Sequence, residues 1–114
     1  NDETLFTDNE AMREYLRTDA CRLHKATARF YVANTMMDRT IRRAAAGRLT
    51  VPTTLLLASR DQIINSERTE AAIRRLTNDT AHIETFDAVH TLDFEVDPSP
   101  SHAAICASLA RAEQ

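Results

Sequence analysis

The stretch Val51-Pro52-Thr53-Thr54-Leu55-Leu56-Leu57-Ala58-Ser59 decides the fold. It is an apolar run that does not alternate, and the polar residues Arg60-Asp61-Gln62 end it. Such a run suits a strand covered on both faces of a parallel sheet. Asp61 then falls just past the carboxyl end of the strand. In open α/β sheets that edge gathers ligands and reactive groups, because its loops vary while the sheet holds them in place. Downstream, Ala81-His82-Ile83-Glu84-Thr85-Phe86 reads as a second strand, with His90 in the loop after it. Between the two, Ser66 is placed to cap a helix through Leu76, with Ile73 and Leu76 as apolar contacts and Asn78 near its end. Strand, helix and strand within about three dozen residues is the size of a right-handed crossover, so the two strands are expected to be parallel and adjacent. One strand delivers a carboxylate and the next an imidazole.

Upstream, the chain reads as helix. Thr7-Asp8-Asn9-Glu10 has the form of a capping box, followed by a short helix to about Arg17. From a cap at Thr18 or Asp19, Leu23, Ala26, Phe30, Ala33, Met37, Ile41 and Ala44 recur at spacings of three and four. That spacing predicts one apolar face on a long helix ended by Gly47 in a left-handed conformation. The face must cover something, since a helix of this kind is not stable alone. Arg39, Arg42, Arg43 and Arg48 read as its solvated side and carboxyl end, where the dipole favours cations, in preference to an anion site. Phe30, Met36 and Met37 read as core packing before an acyl-chain channel. After His90, Leu92–Val96 alternates and suits either a short strand or a turn into the last helix. Ser99-Pro100 begins that helix, with Ile105, Cys106 and Leu109 expected on the sheet.

Composition narrows the function. A chain of 114 residues holds one core, and its apolar and charged fractions of 43% and 27% are those of an ordinary globular protein. A net charge of −3 gives no reason to expect nucleic acid or an anionic membrane as partner. No apolar stretch is long enough to span a bilayer, and no signal peptide is evident. Two cysteines far apart, Cys21 and Cys106, suggest a reducing, cytoplasmic setting. The single glycine, Gly47, leaves no glycine-rich phosphate loop and no Gly-x-Ser-x-Gly turn in these residues. His24 and His102 fall on predicted helices and His82 starts a strand. All three read as structural or surface residues, without the spacing of a metal site, and no cofactor is expected.

The pattern Val51-Pro52-x-x-Leu55-Leu56-Leu57-Ala58-x-x-Asp61-x-Ile63-Ile64, followed by Ala88-x-His90-Thr91-Leu92-x-Phe94-Glu95, resembles the carboxyl-terminal part of an α/β-hydrolase. The likeness is to the monoacylglycerol lipase, lysophospholipase and serine aminopeptidase-like branch. It implies Asp61 as the acid and His90 as the general base of a Ser-Asp-His triad, in that chain order. It also implies that residues 1–48 are a helical cap region and its connection, and 49–114 the carboxyl-terminal α/β part of the core. The position two before the histidine, often glycine in this family, is Ala88. No serine has the glycines of a nucleophile elbow, so the nucleophile is expected outside this chain and the isolated chain is expected to lack ester hydrolysis. The implied substrate is a small-molecule or lipid carboxylic ester.

Read without the resemblance, Asp61 is a turn former and His90 a solvated loop residue. The order strand, acid, helix, strand, histidine is what raises the pair together. Two other readings are open. A non-catalytic α/β interaction module would dimerise or pair with a partner to cover its sheet edge. A receiver-like domain with Asp61 as phospho-acceptor would need an upstream acidic pair that is not evident.

Overall fold

Residues 2–23 and 25–112 are described by a computed structural model of the chain, so His24 lies outside the described residues. Asp2 accepts the Thr4 amide and caps a 3₁₀ turn over Glu3–Leu5. Helix α1 (Glu10–Thr18) follows, then α2 (Ala28–Arg43), strand β1 (Thr54–Ala58), helix α3 (Ser66–Leu76), strand β2 (His82–Phe86), a 3₁₀ turn over Leu92–Phe94 and helix α4 (Ser99–Ala112). The two strands pair in parallel, with Thr54 opposite His82 and Ala58 opposite Phe86. The strand, helix, strand unit is thus the one the sequence predicts, and α3 packs against β1. The core is small. Its buried apolar residues are Leu57, Ala58, Leu76, Ala88, Val89 and Ala104, which sit at the carboxyl ends of β1 and α3, in the loop after β2 and on α4.

Several local expectations change. The cap of α1 is Asn9, whose Oδ1 accepts the Ala11 amide, and not Thr7. Thr7 is fully buried instead, donating its hydroxyl to Phe94 O at 2.9 Å and accepting the Asn9 amide at 3.0 Å. Asn65 caps α3 through the Arg68 amide, one residue before Ser66. A carboxamide reaches the third amide of the turn as readily as a hydroxyl does, so either residue satisfied the sequence pattern.

The largest difference is α2. It begins at Ala28 because the Thr27 hydroxyl accepts the Phe30 amide, which leaves Leu23 and Ala26 ahead of the helix. Its expected apolar face covers nothing among the described residues: Phe30, Met37 and Ile41 are 54%, 61% and 43% exposed. The helix stops at Arg43, short of Gly47, because Arg75 of α3 donates to the carbonyls of Ile41 and Ala44 and closes its end. Gly47 does take the left-handed conformation (φ 68°), but in the turn that follows, where its amide donates to Arg75 O at 3.0 Å.

At the other end, Leu92–Phe94 is a 3₁₀ turn and not a strand. Helix α4 starts at Ser99, where Asp97 Oδ1 accepts the Ser99 amide at 3.0 Å. Its inner face is also turned from the expected one. Ser101 and Ala104 are buried and Ser108 Oγ donates to Thr54 Oγ1 at 2.7 Å, whereas Ile105, Cys106 and Leu109 are exposed. The small residues Ser101, Ala104 and Ser108 thus mark the inner side of the helix, and the larger ones face outward.

Candidate active site

Both sequence-predicted residues lie at the carboxyl end of the sheet, and the structure brings them together. Asp61 stands three residues beyond Ala58 and His90 four beyond Phe86, two positions that are opposite one another in the parallel ladder. His90 Nδ1 lies 2.8 Å from Asp61 Oδ2. The second carboxylate oxygen accepts the amides of Ile63 at 2.8 Å and Ile64 at 2.9 Å, a turn that fixes the acid before α3 begins. The carboxylate is nearly buried, with 7% of the Asp61 side chain exposed against 22% of His90.

Burial works against the Asp61 charge. The Ile64 amide, the His90 ring and the Ile63 amide outweigh it, and the carboxyl is held below its ordinary range. An ionised carboxylate only accepts hydrogen bonds, so the neutral ring facing it carries its proton on Nδ1. Nε2 is then the basic nitrogen, and it has no hydrogen-bond partner among the described residues. The arrangement can take a proton at Nε2 while Asp61 steadies the imidazolium that forms.

The loop carrying His90 has no regular structure and is held by scattered contacts. Arg60 N donates to Ala88 O at 3.0 Å, Val89 N to Glu95 Oε1 at 3.3 Å and Thr91 N to Phe6 O at 3.0 Å. Arg60 also ties Asp87, through Nε at 2.8 Å, to Asp8, which Arg13 holds as well at 3.0 Å. The Phe6 ring meets the His90 ring edge to face, centroids 5.8 Å apart. Sequence reading did not assign Phe6, Asp8 or Arg60 to the site. Arg60 adjoins Asp61, but nothing in a single sequence links it to a carboxylate 52 positions away.

The other two histidines among the described residues, His82 and His102, remain apart. His82 Nε2 pairs with Glu84 at 2.6 Å and His102 Nε2 with Asp93 at 3.0 Å, all at the surface. Among the described residues, no group of three or more His, Cys, Asp or Glu side chains is placed to hold a metal ion. No described helix is long and apolar enough to cross a membrane.

Parallel strands joined through a helix and flanked by further helices fit part of an α/β-hydrolase fold, and the family match sets the class as α/β-hydrolase, serine hydrolase-like. The family is narrower: the chain belongs to the serine aminopeptidase S33 family, Hydrolase_4, whose model matches residues 1–97. That match takes in the helical first half as well as the strands. No curated protein and no solved structure matches the chain.

Proposed function

We propose that this chain supplies the acid and the general base of a serine hydrolase acting on carboxylic esters, with Asp61 and His90 in those roles and the nucleophilic serine outside residues 1–114. The observation that carries the reading is the 2.8 Å bond between His90 Nδ1 and Asp61 Oδ2 at the carboxyl end of adjacent parallel strands. In the reaction, His90 Nε2 takes the serine proton as the hydroxyl oxygen attacks the ester carbonyl, then returns it to the leaving alcohol. Water then attacks the acyl carbon as His90 Nε2 takes its proton, and that proton passes to the serine oxygen as the bond to the acyl group breaks and the carboxylic acid leaves. Asp61 stays ionised throughout, holding the tautomer. Residues 1–48 belong to the cap side of such an enzyme and residues 49–114 to its core, and the substrate is a small-molecule or lipid ester such as a monoacylglycerol or lysophospholipid.

The test uses the complete reading frame that encodes this chain, treated with a fluorophosphonate. The expected result is labelling of a serine outside residues 1–114, lost or slowed on the order of a thousandfold in His90→Ala. Residues 1–114 alone should neither label nor turn over an aryl ester. Labelling that survives His90→Ala unchanged overturns the assignment.

A second reading has its own observation. The exposed Phe30, Met37 and Ile41 along α2 share one apolar face that a partner, or a second copy of the chain, would cover. Concentration-dependent association without fluorophosphonate reactivity of the complete protein would favour this reading.

A further inference from the structure

We propose that the segment Phe6-Thr7-Asp8 is a positioning strap that sets the orientation of the His90 imidazole. The proposal rests on the reading of Asp61 and His90 as acid and base. Three consecutive residues each engage a different part of the site. Phe6 places its ring edge to face against His90 and its carbonyl on the amide of Thr91, the residue that follows. Thr7, with none of its surface exposed, donates to Phe94 O in the turn beyond the histidine loop. Asp8 is paired with Arg60, the residue before the acid, and Arg60 is paired in turn with Asp87 at the start of the histidine loop.

The loop needs such a strap. Among the described residues, the amides on each side of His90 make one bond each, Val89 N to Glu95 and Thr91 N to Phe6, while the Thr91 carbonyl accepts Phe94 N at 3.0 Å. The ring itself makes one hydrogen bond, to Asp61, and a side chain with one bond keeps its freedom to change rotamer. Phe6 supplies the second contact on the ring and the second tether on the backbone. Thr7 anchors the strap where Phe6 needs it, because its hydroxyl both donates to the far turn and accepts the Asn9 amide. Its carbonyl accepts Arg13 Nε at 2.8 Å, so α1 holds the strap from the other side. The strap acts on the reaction through His90 and touches no reacting atom.

The experiment is nitrogen NMR of the His90 ring in the 114-residue chain at about pH 8, above the ordinary imidazole range. Nitrogen shifts report which ring nitrogen carries the proton, and exchange reports whether that proton is protected. The unsubstituted chain should show the Nδ1–H tautomer with a protected proton, and Asp61→Ala should lose it. Phe6→Ala and Thr7→Val should lose the protected proton and shift the ring toward Nε2–H, while Thr7→Ser restores the parent spectrum. Persistence of the parent signal in Phe6→Ala and Thr7→Val, with the β1 and β2 amides unmoved, overturns the strap and leaves the acid and base standing. Absence of the signal in the unsubstituted chain overturns the pair and the strap with it. If Phe6→Ala or Thr7→Val unfolds the sheet, Asp8→Asn decides, since Asp8 is exposed. A partial shift toward Nε2–H supports the strap, and an unchanged ring overturns it.

Discussion

Asp61 divides its two oxygens between two tasks. One accepts the amides of Ile63 and Ile64 and so shapes the start of the connection to α3; the other meets His90. The structural task has a measurable size. Asp61→Ala is expected to cost about 1 to 2 kcal/mol in a urea melt, the range of a lost cap carboxylate. It also has a direction with pH. Because the folded carboxyl lies below its unfolded value, its stabilisation is complete above the ordinary aspartate range and is lost as pH falls through the folded value. Below about pH 4 the parent should therefore lose stability that Asp61→Asn does not lose, and equal slopes for the two proteins in that window would contradict the argument. The positions of Asp61 and His90 were legible in the sequence, because each falls in the loop after a segment that reads as a strand, with a helix between the two. Phe6, Thr7 and Asp8 were not, since a capping pattern explains Thr7-Asp8-Asn9-Glu10 equally well until Phe94 and Arg60 are seen beside it.

The elements follow the local signals in kind and depart from them at their ends. Strand β1 is shorter than the apolar run that announces it, and only Leu57 and Ala58 within it are buried. The end of α2 was illegible for a definite reason. Its last carbonyls are taken by Arg75, which is 31 positions from Ala44, so the chain turns out before the glycine that the pattern offered as terminator. Gly47 nevertheless remains necessary to the turn. Its φ of 68° is costly for a side chain, and a Cβ there would collide with the Asn78 carboxamide. Gly47→Ala should lower stability by about 1 to 2 kcal/mol, read as a shifted urea midpoint. An unchanged midpoint would show that the turn between α2 and β1 contributes nothing to the fold. The face of α4 was not legible from size: large apolar residues were expected inward, yet Ser101 and Ala104 are the buried ones and Ser108 is bonded to Thr54 of β1.

At the scale of the whole molecule the chain carries more surface than its mass requires. A compact monomer of 12.8 kDa exposes about 6,300 Å². This chain exposes 8504 Å². Its radius of gyration is 16.2 Å, against about 13 Å for a compact domain of this length. The excess, about 2,200 Å², is the size of a substantial protein interface. It has identifiable sources in the open face of α2 and the outer edges of the two-stranded sheet. Light scattering of the 114-residue chain should thus give a mass above 12.8 kDa that rises with concentration. A compact monomer at all concentrations would contradict this. The need for cover was legible in the helical periodicity, but what provides the cover is not written in these residues. The parallel register has a last consequence, for how this sequence is free to diverge. A slip of β2 by one position would move His90 by about 3.3 Å relative to Asp61, more than the length of the bond between them. Drift at the carboxyl end of the sheet is confined to exchanges that keep the count of residues. The turn at Asn78–Thr80, at the opposite end of the sheet, lies outside that constraint on the Asp61–His90 bond and answers instead to the packing of Asn78 against Gly47.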